Sequence, residues 1–130
     1  MSHSLAGRRV LIVEDEVIIG LMLGQEIERA GGVPLGPVTT AEEAALLIDK
    51  TEVDFAVLDA KLGDGSSAEL ASLLDARGIR YVVASAYEAT DLPKELKGAP
   101  FVAKPIAAPV LVETLARLAA NIQGECAPAA

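Results

Sequence analysis

Five side chains that can do chemistry directly follow or closely follow short apolar segments of the 130-residue chain: Glu14, Asp15, Asp59, Ser85 and Lys104. Three carboxylates held close together raise one another's pKa unless a cation lies among them. Lys104 supplies one positive charge, and oxygen ligands without His or Cys favour Mg²⁺ over zinc for the remainder. A carboxylate beside Mg²⁺, a lysine and a hydroxyl is suited to accepting a phosphoryl group, because the cations neutralise the phosphoryl oxygens during attack.

These side chains come together only if the segments before them are strands of one sheet. Continuous apolar runs are typical of parallel strands, which are covered on both faces. Five strands are predicted, at 9–13, 33–38, 55–58, 81–84 and 101–103. A helical pattern follows each strand, although the polar stretch 88–98 predicts at most a short or irregular fourth helix. This alternation predicts a parallel α/β fold in which side chains at the carboxyl ends of the strands meet along one edge.

Local signals refine this arrangement. Pro34 and Pro37 interrupt the second strand and predict a position near the sheet edge, and residues 40–43 are typical of a capping box that opens the second helix. The first helix is predicted to bury one apolar face, made of Val17, Ile18, Leu21, Met22, Ile27 and Ala30.

Composition excludes several classes of protein. Hydrophobic residues make up 52% and charged residues 23%, which indicates one globular domain. The net charge of −8 disfavours nucleic acid and anionic lipid as partners. The longest apolar run, 17–24, is too short for a membrane span, and no secretory signal is visible. A single cysteine cannot form an internal disulfide, so we expect a cytoplasmic protein without membrane contacts.

Four motifs, in chain order, resemble those of the receiver domains of two-component response regulators. They are the acidic motif at 13–16, the phosphoacceptor motif and its loop at 58–65, the hydroxyl-bearing motif at 84–86, and the lysine-proline motif at 104–105. The resemblance implies a (βα)5 flavodoxin-like, doubly wound sandwich with a five-stranded parallel sheet in the order 2-1-3-4-5. We expect the receiver domain at 8–122, between a flexible N-terminus at 1–7 and a flexible tail at 123–130.

The resemblance also implies a role for each acidic residue. Asp59 is expected to be the phosphoacceptor. Asp15 and Asp59 are expected to bind Mg²⁺ directly together with the backbone carbonyl of Lys61, whereas Glu14 acts through a metal-bound water.

Further roles follow from the other two motifs. Ser85 and Lys104 are expected to contact the phosphoryl oxygens, and Phe101 stands where the family carries a switch aromatic that works with the hydroxyl residue. The bond between Lys104 and Pro105 is expected to be cis. Residues 83–87 loosely resemble the Phe-Ala-Thr-Gly-Tyr motif of a bacterial stand-alone receiver subfamily, with Ser85 in place of Thr and Ala in place of Gly.

Two residues flank the approach of water to a phosphorylated Asp59. Lys61 and Tyr87 lie two positions after Asp59 and Ser85, respectively. A long cation and a bulky ring at these places obstruct an in-line water, so we expect a long-lived phosphorylated state.

The predicted function is a stand-alone receiver that takes a phosphoryl group from a histidine kinase or phosphotransfer protein in a phosphorelay. It signals through altered protein binding around the fourth helix, fifth strand and last helix, as a monomer or weak dimer. One alternative is a receiver-like interaction module that is never phosphorylated. The other is a Mg²⁺-dependent phosphohydrolase, although haloacid-dehalogenase-like enzymes carry an Asp where this chain has Lys61.

Each of these residues also has a purely structural interpretation. Glu14 and Asp15 can serve only to favour the start of the first helix. Phe101 can be ordinary core, and Tyr87 can be ordinary surface packing.

Overall fold

The computed structural model describes residues 5–60, 62, 67–85, 96, 99–104 and 106–126, excluding the side chains of 108 and 120–126. Within these residues the strands are β1 (Arg9–Val13), β2 (Val33–Val38), β3 (Phe55–Asp59), β4 (Arg80–Ser85) and β5 (Phe101–Ala103). The helices are α1 (Val17–Arg29), α2 (Ala41–Lys50), α3 (Ser67–Ala76) and α4 (Ala108–Cys126). The predicted short helix at 88–98 lies outside the described residues, apart from Leu96.

The five strands form one parallel sheet in the order β2-β1-β3-β4-β5. This confirms the predicted flavodoxin-like topology, including the edge position of the proline-interrupted β2. Val13 pairs with Leu58, Asp59 with Ala84, and Ser85 with Ala103. The carboxyl ends of β1, β3, β4 and β5 are therefore level with one another, which brings the residues at these ends to one edge.

Two apolar clusters cover the two faces of the sheet. Leu11 and Leu58 pack on one side with residues of α2 and α3, and Ile12 and Val57 pack on the other with residues of α1 and α4. Every residue of β3 is buried. Full burial of a Leu or Ile side chain contributes about 1.5–3 kcal/mol, so the strand that ends in Asp59 is firmly held.

Helix α1 lies unusually close to the edge strand β2. A Cβ atom at Gly20 would lie 2.5 Å from Pro37 Cβ, and one at Gly24 would lie 3.5 Å from Pro34 Cβ. Gly36, which precedes a cis bond to Pro37, has a φ of 92°, a conformation that side chains disfavour. Gly20 and Gly24 let α1 settle against β2, and the close packing fixes the start of α1 beside the carboxyl edge.

The predicted buried face of α1 is partly wrong. Gly20, Leu23, Gly24 and Ile27 are the buried residues of this helix. Four of the predicted residues are instead exposed: Val17, Ile18, Leu21 and Met22. The first two turns of the helix, residues 17–24, are apolar on every side, and the small residues Gly20 and Gly24 decide which side approaches β2.

Candidate functional site

Glu14 and Asp15 lie in the turn between β1 and α1, at the carboxyl edge of the sheet. The Glu14 backbone N–H donates to the Val38 carbonyl at 2.9 Å. Glu14 is only 2% exposed, whereas Asp15 is exposed, and Asp59 is buried at the end of β3. One carboxylate oxygen from each of the three lies within 4.8 Å of the others. The structure thus brings the three predicted carboxylates into one cluster.

Lys104 completes this cluster from the end of β5. Its backbone N–H donates to the Ser85 carbonyl at 2.9 Å, which extends the pairing of β4 with β5 by one residue. Its ammonium Nζ donates to both Glu14 oxygens, at 2.9 and 3.1 Å, and lies 3.4 Å from Asp59 Oδ2. Glu14 is therefore the nearer partner of the lysine, and Asp59 is the second.

The pKa values of Glu14 and Lys104 are both shifted by their surroundings. Burial, followed by a hydrogen bond to Asp59 and repulsion from it, raises the pKa of Glu14 from 4.5 to about 7, against the opposing effect of Lys104. Burial acts to lower the pKa of Lys104, but its hydrogen bond to Glu14 and the attraction of Asp59 and Glu14 outweigh this and raise it. Among the residues that the structure describes, three carboxylates and one ammonium make up this cluster, so it favours a further cation.

Ser85 ends β4, the strand next to β3, and Phe101 begins β5, one strand further from Asp59. Ser85 is buried at the end of β4, the strand that pairs directly with β3. Phe101 begins β5 opposite Val83 and packs, half-buried, against the cluster that includes Leu58. Both positions suit the expected roles, and both roles stay predictions.

Ser67, the first residue of α3, is a site neighbour that the sequence analysis did not single out. Its hydroxyl donates to the Asp59 carbonyl at 2.8 Å and accepts from the Leu62 backbone N–H at 3.0 Å. The available signal was a serine at the start of a helix, eight residues after Asp59, which by itself indicates only a cap.

Three further predictions concern residues that the structure does not describe. The backbone carbonyl of Lys61, the ring of Tyr87 and the bond from Lys104 to Pro105 lie outside the described residues.

An apolar surface adjoins the site on α1. Ile18 is 75% exposed and Met22 is 59% exposed. A groove of about 230 Å³ runs between α1 and the segment after β5, and its lining includes Met22, Leu23, Lys104 and Ile106. Among the described residues, no helix has both the length and the hydrophobicity of a membrane span.

Fold and site together define a class of protein: flavodoxin-like α/β domains with clustered carboxylates and a lysine at the carboxyl edge of the sheet. No protein-family profile matches the sequence, and a search of curated proteins gives no significant match.

Solved structures do match. The solution structure of SdrG from Sphingomonas melonis Fr1 is 32% identical, covers 89% of this chain and 97% of its own, and has a TM-score of 0.72. The BeF3-activated conformation of SdrG from Pseudomonas melonis Fr1 is 31% identical over 87% of this chain and 97% of its own, with a TM-score of 0.75.

Two more distant structures extend the likeness. The signal receiver domain of a modulated diguanylate cyclase from Desulfovibrio desulfuricans G20 is 26% identical over 84% of this chain and 90% of its own, with a TM-score of 0.75. A CheY-like response regulator receiver domain from Methylobacillus flagellatus is 24% identical, covers 84% of this chain and 99% of its own, and has a TM-score of 0.71. The chain belongs to the receiver domains of response regulators, which are regulatory domains rather than enzymes.

Proposed function

We propose that this chain is a receiver that accepts a phosphoryl group on Asp59 from a histidine kinase or a phosphotransfer protein. The observation that carries the proposal is the cluster of Glu14, Asp15 and Asp59 oxygens within 4.8 Å, with the Lys104 ammonium against two of them. We place the domain at 8–122, and we propose that it works in the bacterial cytoplasm as a monomer or weak dimer. Leu5, just before the proposed start, is buried, and its backbone N–H donates a hydrogen bond to the Ala30 carbonyl.

The donor set fits Mg²⁺. Its oxygen atoms are hard ligands, and of the three carboxylates Asp15 is exposed to solvent whereas Glu14 and Asp59 are buried. Asp15, Asp59 and the carbonyl of Lys61 would hold the ion, with Glu14 acting through a bound water. Bound Mg²⁺ would neutralise phosphoryl oxygens as charge builds on them.

The protein side chains do the rest of the transfer. An Asp59 carboxylate oxygen attacks the phosphorus of a phosphohistidine, the new O–P bond forms, and the N–P bond breaks with its electron pair left on the imidazole. Lys104 and the Ser85 hydroxyl stabilise the phosphoryl oxygens. Hydrolysis then breaks the O–P bond to Asp59: water attacks phosphorus, inorganic phosphate leaves, and the Asp59 carboxylate is restored.

The donor's docking surface is proposed to be the exposed apolar face of α1. This face is continuous with the site, because Lys104 and Met22 line the same groove. Ile18→Asp is expected to slow transfer from a phosphorylated donor protein by tenfold or more, while labelling by acetyl phosphate stays unchanged. Leu46→Asp, an equally apolar exposed position on α2, is the matched control. Equal slowing by both variants, or by neither, would contradict this assignment.

The output is proposed to be an altered protein-binding surface around β5, α4 and the segment before them, coupled to the site through Ser85 and Phe101. Lys61 and Tyr87 are proposed to prolong the phosphorylated state. The double variant Lys61→Asn with Tyr87→Glu should dephosphorylate faster in Mg²⁺. An unchanged or slower rate would remove the shielding role.

Addition of beryllofluoride, a phosphoryl mimic, with Mg²⁺ tests the proposal in solution. Likeness to SdrG, whose BeF3-activated conformation is solved, supports the choice of probe. Backbone amide shifts should move at Ser85, Phe101 and Lys104 in the wild type and not in Asp59→Asn. If beryllofluoride shifts these amides in neither protein, the result would favour the module that is never phosphorylated. Steady turnover of small phosphomonoesters would favour the phosphohydrolase.

A further inference from the structure

One buried hydroxyl lies directly behind the proposed phosphoacceptor. Ser67 is 4% exposed and begins α3. Its hydroxyl donates to the Asp59 carbonyl and accepts from the Leu62 N–H, so one atom joins two backbone groups three residues apart. Neither group belongs to a residue that is solvent-exposed, since Asp59 and Leu62 are both buried.

This bridge stands at the point where β3 ends. The ladder to β4 continues for one step, with the Ala60 N–H donating to the Ala84 carbonyl at 2.8 Å. Leu62 is then anchored in the core cluster that includes Leu58. Ser67 therefore bonds the last residue of β3, Asp59, and a residue anchored in the core, Leu62.

We infer that Ser67 is a positioning residue, which holds the backbone at Asp59 and at Leu62 and thereby fixes the Asp59 carboxylate toward Glu14, Asp15 and Lys104. The inference rests on the proposed function, because the consequence is a change in binding of Mg²⁺ at this cluster. The Asp59 side chain and the Asp59 carbonyl that Ser67 holds are attached to the same Cα. Loss of the Ser67 hydrogen bonds therefore loosens the Asp59 carboxylate as a metal ligand without removing it. Outer-shell partners of this kind typically change metal affinity by about 10- to 100-fold.

The first measurement needs no metal. Hydrogen exchange of the Leu62 amide, followed by NMR in EDTA, should be faster by tenfold or more in Ser67→Ala than in the wild type. Ser67→Thr retains the hydroxyl and should restore protection. Ser72→Ala, an exposed serine on the same helix, should leave the Leu62 amide unchanged.

The second measurement is the affinity for Mg²⁺ alone, by calorimetric titration of the same variants. Ser67→Ala should bind about tenfold more weakly or worse, Ser67→Thr should bind nearly as the wild type does, and Ser72→Ala should be unchanged. If Ser67→Ala does not fold, Ser67→Cys, with a weaker hydrogen-bonding group of similar size, takes its place in both measurements.

The outcomes separate the two proposals. If the wild type binds Mg²⁺ and a folded Ser67→Ala variant binds it equally tightly, the role of Ser67 is overturned and the proposed function stands. Equal weakening by Ser72→Ala would also overturn it. A wild type that binds no Mg²⁺ would overturn the proposed function, and the role of Ser67 with it.

Discussion

Charged residues have different partners at the amino edge of the sheet, where the parallel strands begin, and at the carboxyl edge, where they end. At the amino edge, Asp54 accepts from the Arg9 backbone N–H at 2.8 Å, and Asp49 pairs with Arg77 at 2.6 Å on the surface. At the carboxyl edge, three carboxylates lie close together, two of them are buried, and the Lys104 ammonium contacts these two.

This difference distinguishes charges that serve structure from charges that serve function. Exposed one-to-one pairs contribute at most about 1 kcal/mol each and ask nothing of the fold. Buried like charges cost free energy, which a ligand of opposite charge can recover on binding. Removal of a carboxylate should therefore have opposite effects on stability at the two edges.

The largest expected effect concerns Lys104, the cation already inside the cluster. Two unit charges of like sign about 4 Å apart repel by about 1 kcal/mol even in bulk water, and Mg²⁺ carries two charges, so the ammonium of Lys104 would oppose its binding. Lys104→Met is expected to bind Mg²⁺ at least about tenfold more tightly than the wild type, by calorimetry. Lys50→Met makes the same change in net charge on an exposed residue and should leave the affinity nearly unchanged. Lys104→Gln serves if the Met variant is unstable, and weaker binding by a folded variant would contradict the idea.

The next effect is a gain in stability at the carboxyl edge. Burial raises the pKa of Glu14 to about 7, so the folded state holds this proton more tightly than the unfolded chain, and stability falls as pH rises from 4.5 through about 7. In EDTA at about pH 8, Glu14→Gln should be more stable than the wild type by about 1–3 kcal/mol in urea unfolding. The gain should shrink at about pH 5. A loss of stability at the higher pH would show that the cluster is not strained by charge.

At the amino edge the same kind of change should destabilise. Asp54→Ala removes the acceptor of the Arg9 N–H and should lower the free energy of unfolding by about 0.5–1.5 kcal/mol, with or without Mg²⁺. Glu52→Ala removes an equal charge, and only its backbone carbonyl contacts Arg9. The comparison between the edges fails if Asp54→Ala stabilises the protein, or if Mg²⁺ alters its effect.

The smallest effect belongs to the capping box of α2. Hydrogen bonds from the Thr39 backbone and hydroxyl to Glu43 lower the pKa of Glu43, and Thr40 accepts from the Glu43 N–H. Stability from this carboxylate is present above its ordinary pKa and is lost as pH falls through the lowered value. Glu43→Gln should be slightly less stable near neutral pH and should converge on the wild type in acid. A difference that grows in acid would contradict this.

The sequence predicted the meeting of Glu14, Asp15, Asp59 and Lys104, because parallel topology places every residue that follows a strand on one edge. The order of the strands followed only from the resemblance to receiver domains. The sequence did not predict which side of α1 packs. That choice depends on how closely Gly20 can approach Pro37 on β2. The periodic pattern of α1 carries no information about this contact with another element.

Ser67 shows another limit of sequence reasoning. A serine at the start of a helix normally indicates a cap. Its bonds to Asp59 and Leu62 depend on how the chain returns after β3, which no short-range pattern encodes.

The most direct test of the central claim is the mass of the intact protein after incubation with acetyl phosphate and Mg²⁺, followed by reduction and peptide mapping of the modified carboxylate. We expect the addition of one phosphoryl group, located at Asp59, abolished by EDTA and absent from Asp59→Asn, with Asp54→Asn as the control from the opposite edge. Full labelling of Asp59→Asn, or an unlabelled wild type, would contradict the assignment of the carboxyl edge to phosphoryl transfer.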